Sequence, residues 1–416
     1  MKYFTLKLIS KKGAENAMHI GWTVLGIIAG LALWVYTDFI LGRKKHLANA
    51  SQNVLPVRES DLTIIAKGPE LFRDLFTEIK NAKQHIHILF YIVQDDKISQ
   101  EFMSILKEKA QSGVEVRLLV DWVGSGLKRK SIQSLKDAGV EFAFSQTPKF
   151  PYLFYSSQVR NHRKITVIDG RISYLGGFNI GKEYNDQDPK LSPWRDYHLK
   201  MTGEGVEDLQ REFLEDWRAA AKVNLLQDKA YFPPLKKGAI RQRLIPTEGI
   251  LLEEMIINLI SESEKSIFIG TPYFIPSKRV FSHLLDAIKR GVSVTILVPY
   301  KADHILVKEA SHPYLRTLLK EGAEVYQYLK GFYHAKVLIM DDQVCDVGTA
   351  NFDKRSMFLN YELNCLIYDP AFIKKVKHIV TEDILNSQRA SLKNLNKVNL
   401  LLSIKETAAR TISYFL

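Results

Sequence analysis

The chain is poor in cysteine. Cys345 and Cys365 are the only two in 416 residues, so no disulfide framework organises the fold. They read as small apolar residues packed in a core. Acidic charge is in deficit. Lys+Arg number 58 against 46 Asp+Glu, leaving +12, which favours an anionic partner such as nucleic acid or an acidic lipid surface. Long apolar runs are scarce too, with one near the N-terminus. Clustered histidine is missing from the two motifs described below. Each holds one histidine tied to a lysine, which suits an anion better than a metal cation, and no metal or other cofactor is expected.

The single apolar run covers residues 20–41 and is interrupted only by Thr23, Thr37 and Asp38. At about 1.5 Å per residue it spans roughly 30 Å of hydrocarbon. Trp22, Trp34 and Tyr36 lie toward its ends, where amphipathic rings favour an interface. Gly42-Arg43-Lys44-Lys45 follows in place of a small-residue cleavage site, so a retained single-pass anchor is expected rather than a signal peptide. Lysines precede the run and basic residues follow it, which leaves little charge asymmetry. The catalytic part is placed on the cytoplasmic side. Gly26 and Gly30 have the spacing of packed membrane helices, a basis for self-association.

The rest of the chain reads twice. Helical periodicity over 71–82, an alternating strand at 85–91, a helix over 98–109 and a strand over 113–120 recur as helix 251–263, strand from 266, helix 280–289 and strand 291–298. This alternation implies an α/β fold of mixed sheets flanked by helices, built from two duplicated halves related by a pseudo-twofold axis. The expected organisation is a tail at 1–19, a transmembrane helix at 20–41, halves at 58–230 and 240–395, and an amphipathic segment at 396–416. That last segment either lies on the membrane or caps the second half. The first half carries an extra aromatic stretch, Phe150-Pro151-Tyr152-Leu153-Phe154-Tyr155, which either meets the bilayer or folds onto the core.

Each half holds one copy of His-x-Lys-x4-Asp: His162, Lys164 and Asp169, then His334, Lys336 and Asp341. Each copy is followed by a glycine-rich turn ending in asparagine, Gly176-Gly177-Phe178-Asn179 and Gly348-Thr349-Ala350-Asn351. On a strand, residues two apart share a face, so each His and Lys point the same way. Cleaving a phosphodiester needs a nucleophile, a proton donor for the leaving oxygen, and cations on the non-bridging oxygens. Two histidines supply the first pair. Two lysines, aided by Asn179 and Asn351, supply the cationic cradle. Asp169 and Asp341 are expected to orient and tune these groups, and Glu362 is a further candidate for orienting a histidine. His85 and His87 read as packed core residues. Lys128-Arg129-Lys130 reads as a solvated face.

These motifs, with Asn161 to Gly170, Gly176 to Ile180, Trp194-Arg195-Asp196, Thr271-Pro272-Tyr273-Phe274-Ile275-Pro276 and Gly348 to Ser356, resemble the phospholipase D superfamily and, within it, the bacterial cardiolipin synthases. The resemblance covers nearly the whole chain. It implies a metal-free phosphatidyltransferase acting on phosphatidylglycerol in an anionic membrane. His162 attacks one phosphatidylglycerol, His334 protonates the departing glycerol, and a second phosphatidylglycerol takes up the phosphatidyl group to give cardiolipin. The alternative is a hydrolase, or a transferase using another alcohol. A nucleic-acid substrate is not expected, because the anchor and the duplication fit a lipid enzyme better.

Overall fold

A computed structural model of the chain describes residues 2–50, 54–303, 306–395, 405–407, 409, 411 and 413–415, with 2–17 described by backbone alone. The chain opens with α1 (Lys2–Asn49) and then runs through the first repeat. That repeat comprises β1 (Arg58–Lys67), α2 (Gly68–Asn81), β2 (His85–Phe90), α3 (Lys97–Gln111), β3 (Glu115–Asp121), α4 (Arg129–Asp137), β4 (Glu141–Ser145), α5 (Leu153–Gln158), β5 (Ile165–Ile168), β6 (Ile172–Gly176), β7 (Trp194–Gly203) and α6 (Gly205–Ala221). The second comprises β8 (Ile240–Glu248), α7 (Leu252–Glu262), β9 (Ser266–Gly270), α8 (Lys278–Lys289), β10 (Ser293–Pro299), α9 (Val307–Lys320), β11 (Glu324–Tyr328), β12 (Phe332–Tyr333), β13 (Val337–Met340), β14 (Val344–Gly348), α10 (Lys354–Phe358), β15 (Tyr361–Ile367), α11 (Pro370–Leu385), β16 (Ser387–Arg389) and α12 (Leu392–Leu395).

The local signals explain these elements. In α2 the buried residues Leu71, Phe72, Leu75, Phe76 and Ile79 form one helical stripe. All six residues of β2, which is parallel to β3 and antiparallel to β5, are buried, as expected of an inner strand covered on both faces. Gly113 and Gly291 take φ of 88° and 92° just past the ends of α3 and α8. A left-handed residue there turns the chain out of the helix and into the next strand, a position where a side chain would be strained.

The strands form one sheet in the order β16-β11-β10-β9-β13-β14-β15-β8-β1-β7-β6-β5-β2-β3-β4, with β12 beside β7. The first repeat reads 1-7-6-5-2-3-4 outward from the middle. The second reads 8-15-14-13-9-10-11 in the other direction. The antiparallel β1–β8 pair, Arg58 opposite Gln242, is the seam of the duplication. On one face, α6 (Phe213, Trp217) and α11 (Phe372, Val376) share a single apolar core with strands from both repeats. On the other face each repeat has its own core, beneath α2 and α3 or beneath α7, α8 and α9. Cys345 and Cys365 lie buried as free thiols on neighbouring strands of the shared core. His87 is also packed, stacked on Phe213 at 4.8 Å.

Residues 1–50 and 148–158 form a compact unit of their own. α1 runs unbroken for 48 residues, about 72 Å at 1.5 Å per residue, and takes in residues of both the expected tail and the expected span. From Met18 onward it is apolar and long enough to cross a membrane. Ile20 and Leu33 are 65% and 64% exposed, as expected of side chains that face lipid. The aromatic insert docks on the C-terminal part of this helix. Asp38 accepts a 2.7 Å hydrogen bond from the Tyr155 amide, and Phe39 meets the Tyr155 ring at 5.5 Å. Gly42 permits this approach, since a Cβ there would lie 2.6 Å from that of Tyr155. The expected segment at 396–416 falls largely outside the described residues. Of its described positions, Glu406 pairs with Arg316 of α9, and Ala409 is fully buried.

Asp169 and Asp341 end the motif strands β5 and β13. Asp169 accepts from the amides of Lys83, Gln84 and His85. Asp341 accepts from Glu264, Lys265 and Ser266. Each clamps the turn that leads from a helix into the neighbouring strand. Asp169→Ala and Asp341→Ala each strip an acceptor from three amides and should lower the unfolding free energy by about 1–3 kcal/mol. Denaturant midpoints check this, and unchanged midpoints in both variants would reject the clamp.

Candidate active site

The two motif histidines meet because each is received by the opposite repeat. The His162 amide donates to the Tyr361 carbonyl at 2.9 Å, and the His334 amide donates to Arg195 at 2.7 Å. These carbonyls belong to β15 and β7, and the next residue on each strand is acidic. His162 Nδ1 lies 2.9 Å from Glu362 Oε2, and His334 Nδ1 lies 2.6 Å from Asp196 Oδ2. Both imidazoles therefore have one nitrogen engaged by a carboxylate across the seam. Both line one cavity of about 640 Å³, together with Asn179 and Asn351.

The carboxylates are held as firmly as the rings. Glu362 also accepts from Thr349 Oγ1 at 2.6 Å, Ser356 Oγ at 2.9 Å and Asn360 Nδ2 at 3.1 Å. Burial alone would raise its pKa, but His162, Lys164 and these donors outweigh burial and hold it below the usual carboxylate range. Asp196 likewise stays below its ordinary value, with burial offset by Lys336 and His334. The second glycine of the first turn, Gly177, has a geometric purpose. A methyl there would overlap the Asp196 carboxylate.

Burial is the largest influence on both histidines. It lowers His162 to about 4 and His334 to about 3, against the upward pull of the carboxylates. The lysines add to the lowering. The imidazoles thus rest neutral near pH 7, each with Nδ1 engaged by a carboxylate; His162 presents its Nε2 lone pair, while Lys336 Nζ stands 3.2 Å from His334 Nε2. Lys164 donates to the His162 carbonyl at 2.7 Å and lies 5.3 Å from the centre of the Tyr91 ring. Burial brings its pKa down to about 7. Lys336 donates to the His334 carbonyl, stands 3.5 Å from Asp196, and is also lowered by burial. Neutral imidazoles line one space and fully buried ammonium groups stand beside them, which makes it a receptor for a small anion.

Asp169 and Asp341 are not part of this space, which corrects the expectation that they tune the histidines. From His162 to Asp169 is seven residues along an extended segment, roughly 20 Å at about 3.3 Å per residue. Their carboxylates are spent on the backbone clamps, and neither lines the cavity. Glu362 does orient a histidine. Its counterpart Asp196 was missed as a site residue. The duplication carried the signal, because Asp196 stands on β7 where Glu362 stands on β15. Tyr91, 4.9 Å from the His162 ring, Arg160 and Asp303 gave no sequence signal, whereas Trp194, 4.9 Å from His334, Tyr273 and Arg355 lie in the strings that carry the resemblance but were given no role. His198 is buried close to Asp196, and burial lowers it to about 3.

Comparison with known proteins agrees with this architecture. The family model described as "Cardiolipin synthase, PLD-like domain" matches residues 75–217 and 256–384, one segment in each repeat. The chain is 41% identical to the minor cardiolipin synthase ClsB of Bacillus subtilis, over 92% of this chain and 96% of that one. It is 38% identical to a cardiolipin synthase of Staphylococcus aureus, over 85% of this chain and 73% of that one. Among solved structures, phosphatidylserine synthase of Haemophilus influenzae superposes with a TM-score of 0.70 at 17% identity, covering 90% of this chain and 99% of that one. Polyphosphate kinase of Porphyromonas gingivalis follows with a TM-score of 0.55 at 16% identity, over 85% of this chain and 53% of that one, a likeness of fold alone. The crossed histidines, the duplicated sheet and these relatives together place the chain in the cardiolipin synthase family of phospholipase D-like proteins.

Proposed function

We propose that this protein is a membrane-bound phosphatidyltransferase that condenses two phosphatidylglycerols into cardiolipin and glycerol through a phosphohistidine. The observation that carries the reading is the pair of histidines, each tied through Nδ1 to a carboxylate of the other repeat and facing one cavity. Hydrogen-bonded in this way, His162 presents the Nε2 lone pair. It attacks phosphorus, and the P–O bond to the headgroup glycerol breaks. Lys164 and Lys336, with Asn179 and Asn351, hold the non-bridging oxygens. His334 must be protonated to release the glycerol oxygen. The incoming phosphate supplies the charge that makes this feasible, because an anion beside the imidazole raises a pKa that burial had lowered. Neutral again after the first step, His334 takes the proton of the second phosphatidylglycerol's terminal hydroxyl. That oxygen attacks phosphorus, the P–N bond breaks, and His162 is restored. The cavity is sized for headgroups, so acyl chains remain outside in the lipid, which fits a chain with one membrane-crossing helix.

Purified full-length protein in detergent, given phosphatidylglycerol alone, should yield cardiolipin and glycerol. Phosphatidic acid as the sole phospholipid product would instead establish a hydrolase. His162→Ala and His334→Ala should each reduce turnover by about 10³-fold or more, and a chelator should leave it unchanged. Chelator-sensitive turnover would overturn the metal-free mechanism.

Lys164 generates a pH prediction. Its depressed pKa means that the charged form, which binds phosphate, is present below about 7 and is lost as pH rises through that value. The kcat/KM for phosphatidylglycerol should therefore fall above about pH 7, approaching a tenfold loss per pH unit. Lys164→Arg should lack the added break near pH 7, because guanidinium keeps its charge. A wild-type profile flat to pH 9 would remove Lys164 from phosphate binding.

A further inference from the structure

The duplication sets one exposed aromatic residue from each repeat at the same point of the fold. The parallel strands β2, β3 and β4 of the first repeat match β9, β10 and β11 of the second. Loops at the C-terminal ends of parallel strands build binding crevices, and here Tyr91 after β2 and Tyr273 after β9 stand on the cavity wall. The next loops outward follow β3 and β10. They begin with Trp122 and Tyr300, each 46% exposed. Their amides make matching bonds, Trp122 to the Ser145 carbonyl at the end of β4 and Tyr300 to the Tyr328 carbonyl at the end of β11, both at 3.0 Å. Neighbouring strands lie about 4.8 Å apart, so each aromatic stands one strand out from a wall residue of its own repeat.

Both loops are tied to that wall. Asp121, the last residue of β3, accepts from the amides of Val123 and Gly124 at 2.9 and 3.1 Å. The same carboxylate accepts from Arg160 Nη1 at 3.0 Å and from the Asn161 amide at 2.9 Å, just before His162. In the second repeat Lys308 donates to the Tyr300 carbonyl at 2.7 Å and lies 4.8 Å from the centre of its ring. Val123 adds an aliphatic side chain that is 53% exposed. Arg129, Lys130 and Lys301 are exposed cations close by in the chain. Amphipathic rings with aliphatic and cationic neighbours suit a membrane interface, where the rings sit at headgroup level and each cation is drawn to anionic lipid. A second protein on these loops would cover the approach that a lipid headgroup must use, whereas a bilayer delivers the headgroup. We infer that Trp122 with Val123, and Tyr300, seat the mouth of the cavity on the surface of an anionic bilayer, with Arg129, Lys130 and Lys301 against its headgroups. The inference rests on the reading of the substrate as a membrane lipid, whose acyl chains stay in the bilayer while its phosphate meets the histidines.

The test reads depth in the membrane without turnover. Cys345 and Cys365 are buried, so a nitroxide can be attached at a cysteine introduced by Trp122→Cys, Tyr300→Cys or, as a reference, Ser112→Cys. Ser112 is exposed before the far end of β3, a strand of 7 residues, roughly 23 Å long. The full-length labelled proteins are reconstituted in vesicles of phosphatidylglycerol and phosphatidylcholine. Labels at 122 and 300 should be more accessible to oxygen than to an aqueous nickel chelate, and the label at 112 the reverse. A label at 122 or 300 that matches 112, or one shielded from both reagents as in a protein interface, would overturn the proposal. A second arm uses Trp122→Ser/Tyr300→Ser. Its kcat/KM should fall about tenfold for long-chain phosphatidylglycerol in the bilayer, with dihexanoyl phosphatidylglycerol dissolved as monomers turned over as in wild type. Equal loss on both substrates would mark a structural role, and no loss on either would leave the loops without a function; both results overturn the proposal. If wild type makes no cardiolipin, the transferase reading fails, while the depth of the labels still decides the seating.

Discussion

The site depends on a reciprocal exchange, in which each repeat supplies the carboxylate that aligns the other repeat's imidazole. His162–Glu362 and His334–Asp196 are buried pairs, and neither can form within one repeat. Buried ionisable groups are tolerated only when paired and hydrogen-bonded. Separating the repeats would strand two carboxylates and two lysines in apolar surroundings. The same exchange therefore links folding to catalysis. Other features of the middle of the molecule serve it: the β1–β8 seam, the core shared by α6 and α11, and the backbone bonds from the histidine amides to β7 and β15. Glu362 shows how much structure one ring requires, since hydroxyls of Thr349 and Ser356 and the Asn360 amide all fix its carboxylate.

The electrostatics of the cavity describe its ligand. Two carboxylates balance two ammonium groups, and burial keeps the imidazoles neutral. An arriving phosphodiester adds negative charge where low dielectric makes each charge count for more than in water. It favours charged Lys164 and Lys336 and at the same time favours a protonated histidine. Substrate binding thus prepares the general acid, with no separate switch, and water alone would leave both histidines neutral.

Much of this was legible in the sequence, because duplication reveals what one copy leaves ambiguous. The repeated helix and strand order gave the two α/β halves, and His162 and His334 line one cavity, with Lys164 and Lys336 bonded to the carbonyls of those histidines. What misled was proximity along the chain. Asp169 and Asp341 complete the motif as a string, yet an extended strand carries them away from the histidines, to clamp turns at its other end. Asp196 was legible in principle, since Glu362 had been singled out and the repeats match. It was hidden because a partner for His334 had to come from the opposite half, 138 residues away. The aromatic insert was undecidable for another reason. Phe154 and Tyr155 are equally suited to lipid or to a core, and only the buried Asp38 and the close approach at Gly42 show that they dock on the N-terminal helix α1.

A symmetric pair of histidines has no reason to take different roles, and a transferase needs them to differ. The sheet, the lysines and the asparagines are nearly matched across the seam, so direction has to come from what is not. The unmatched elements are the basic wall beside His162 and the Asp303–Tyr273 pair beside His334. Donor and acceptor headgroups occupy the same side of phosphorus in turn, because the acceptor enters where glycerol left. A difference between the two walls is therefore what can assign acid–base work to one histidine and nucleophilic attack to the other. In a duplicated enzyme the repeats supply the chemistry, and the loops that drifted apart after duplication supply its direction.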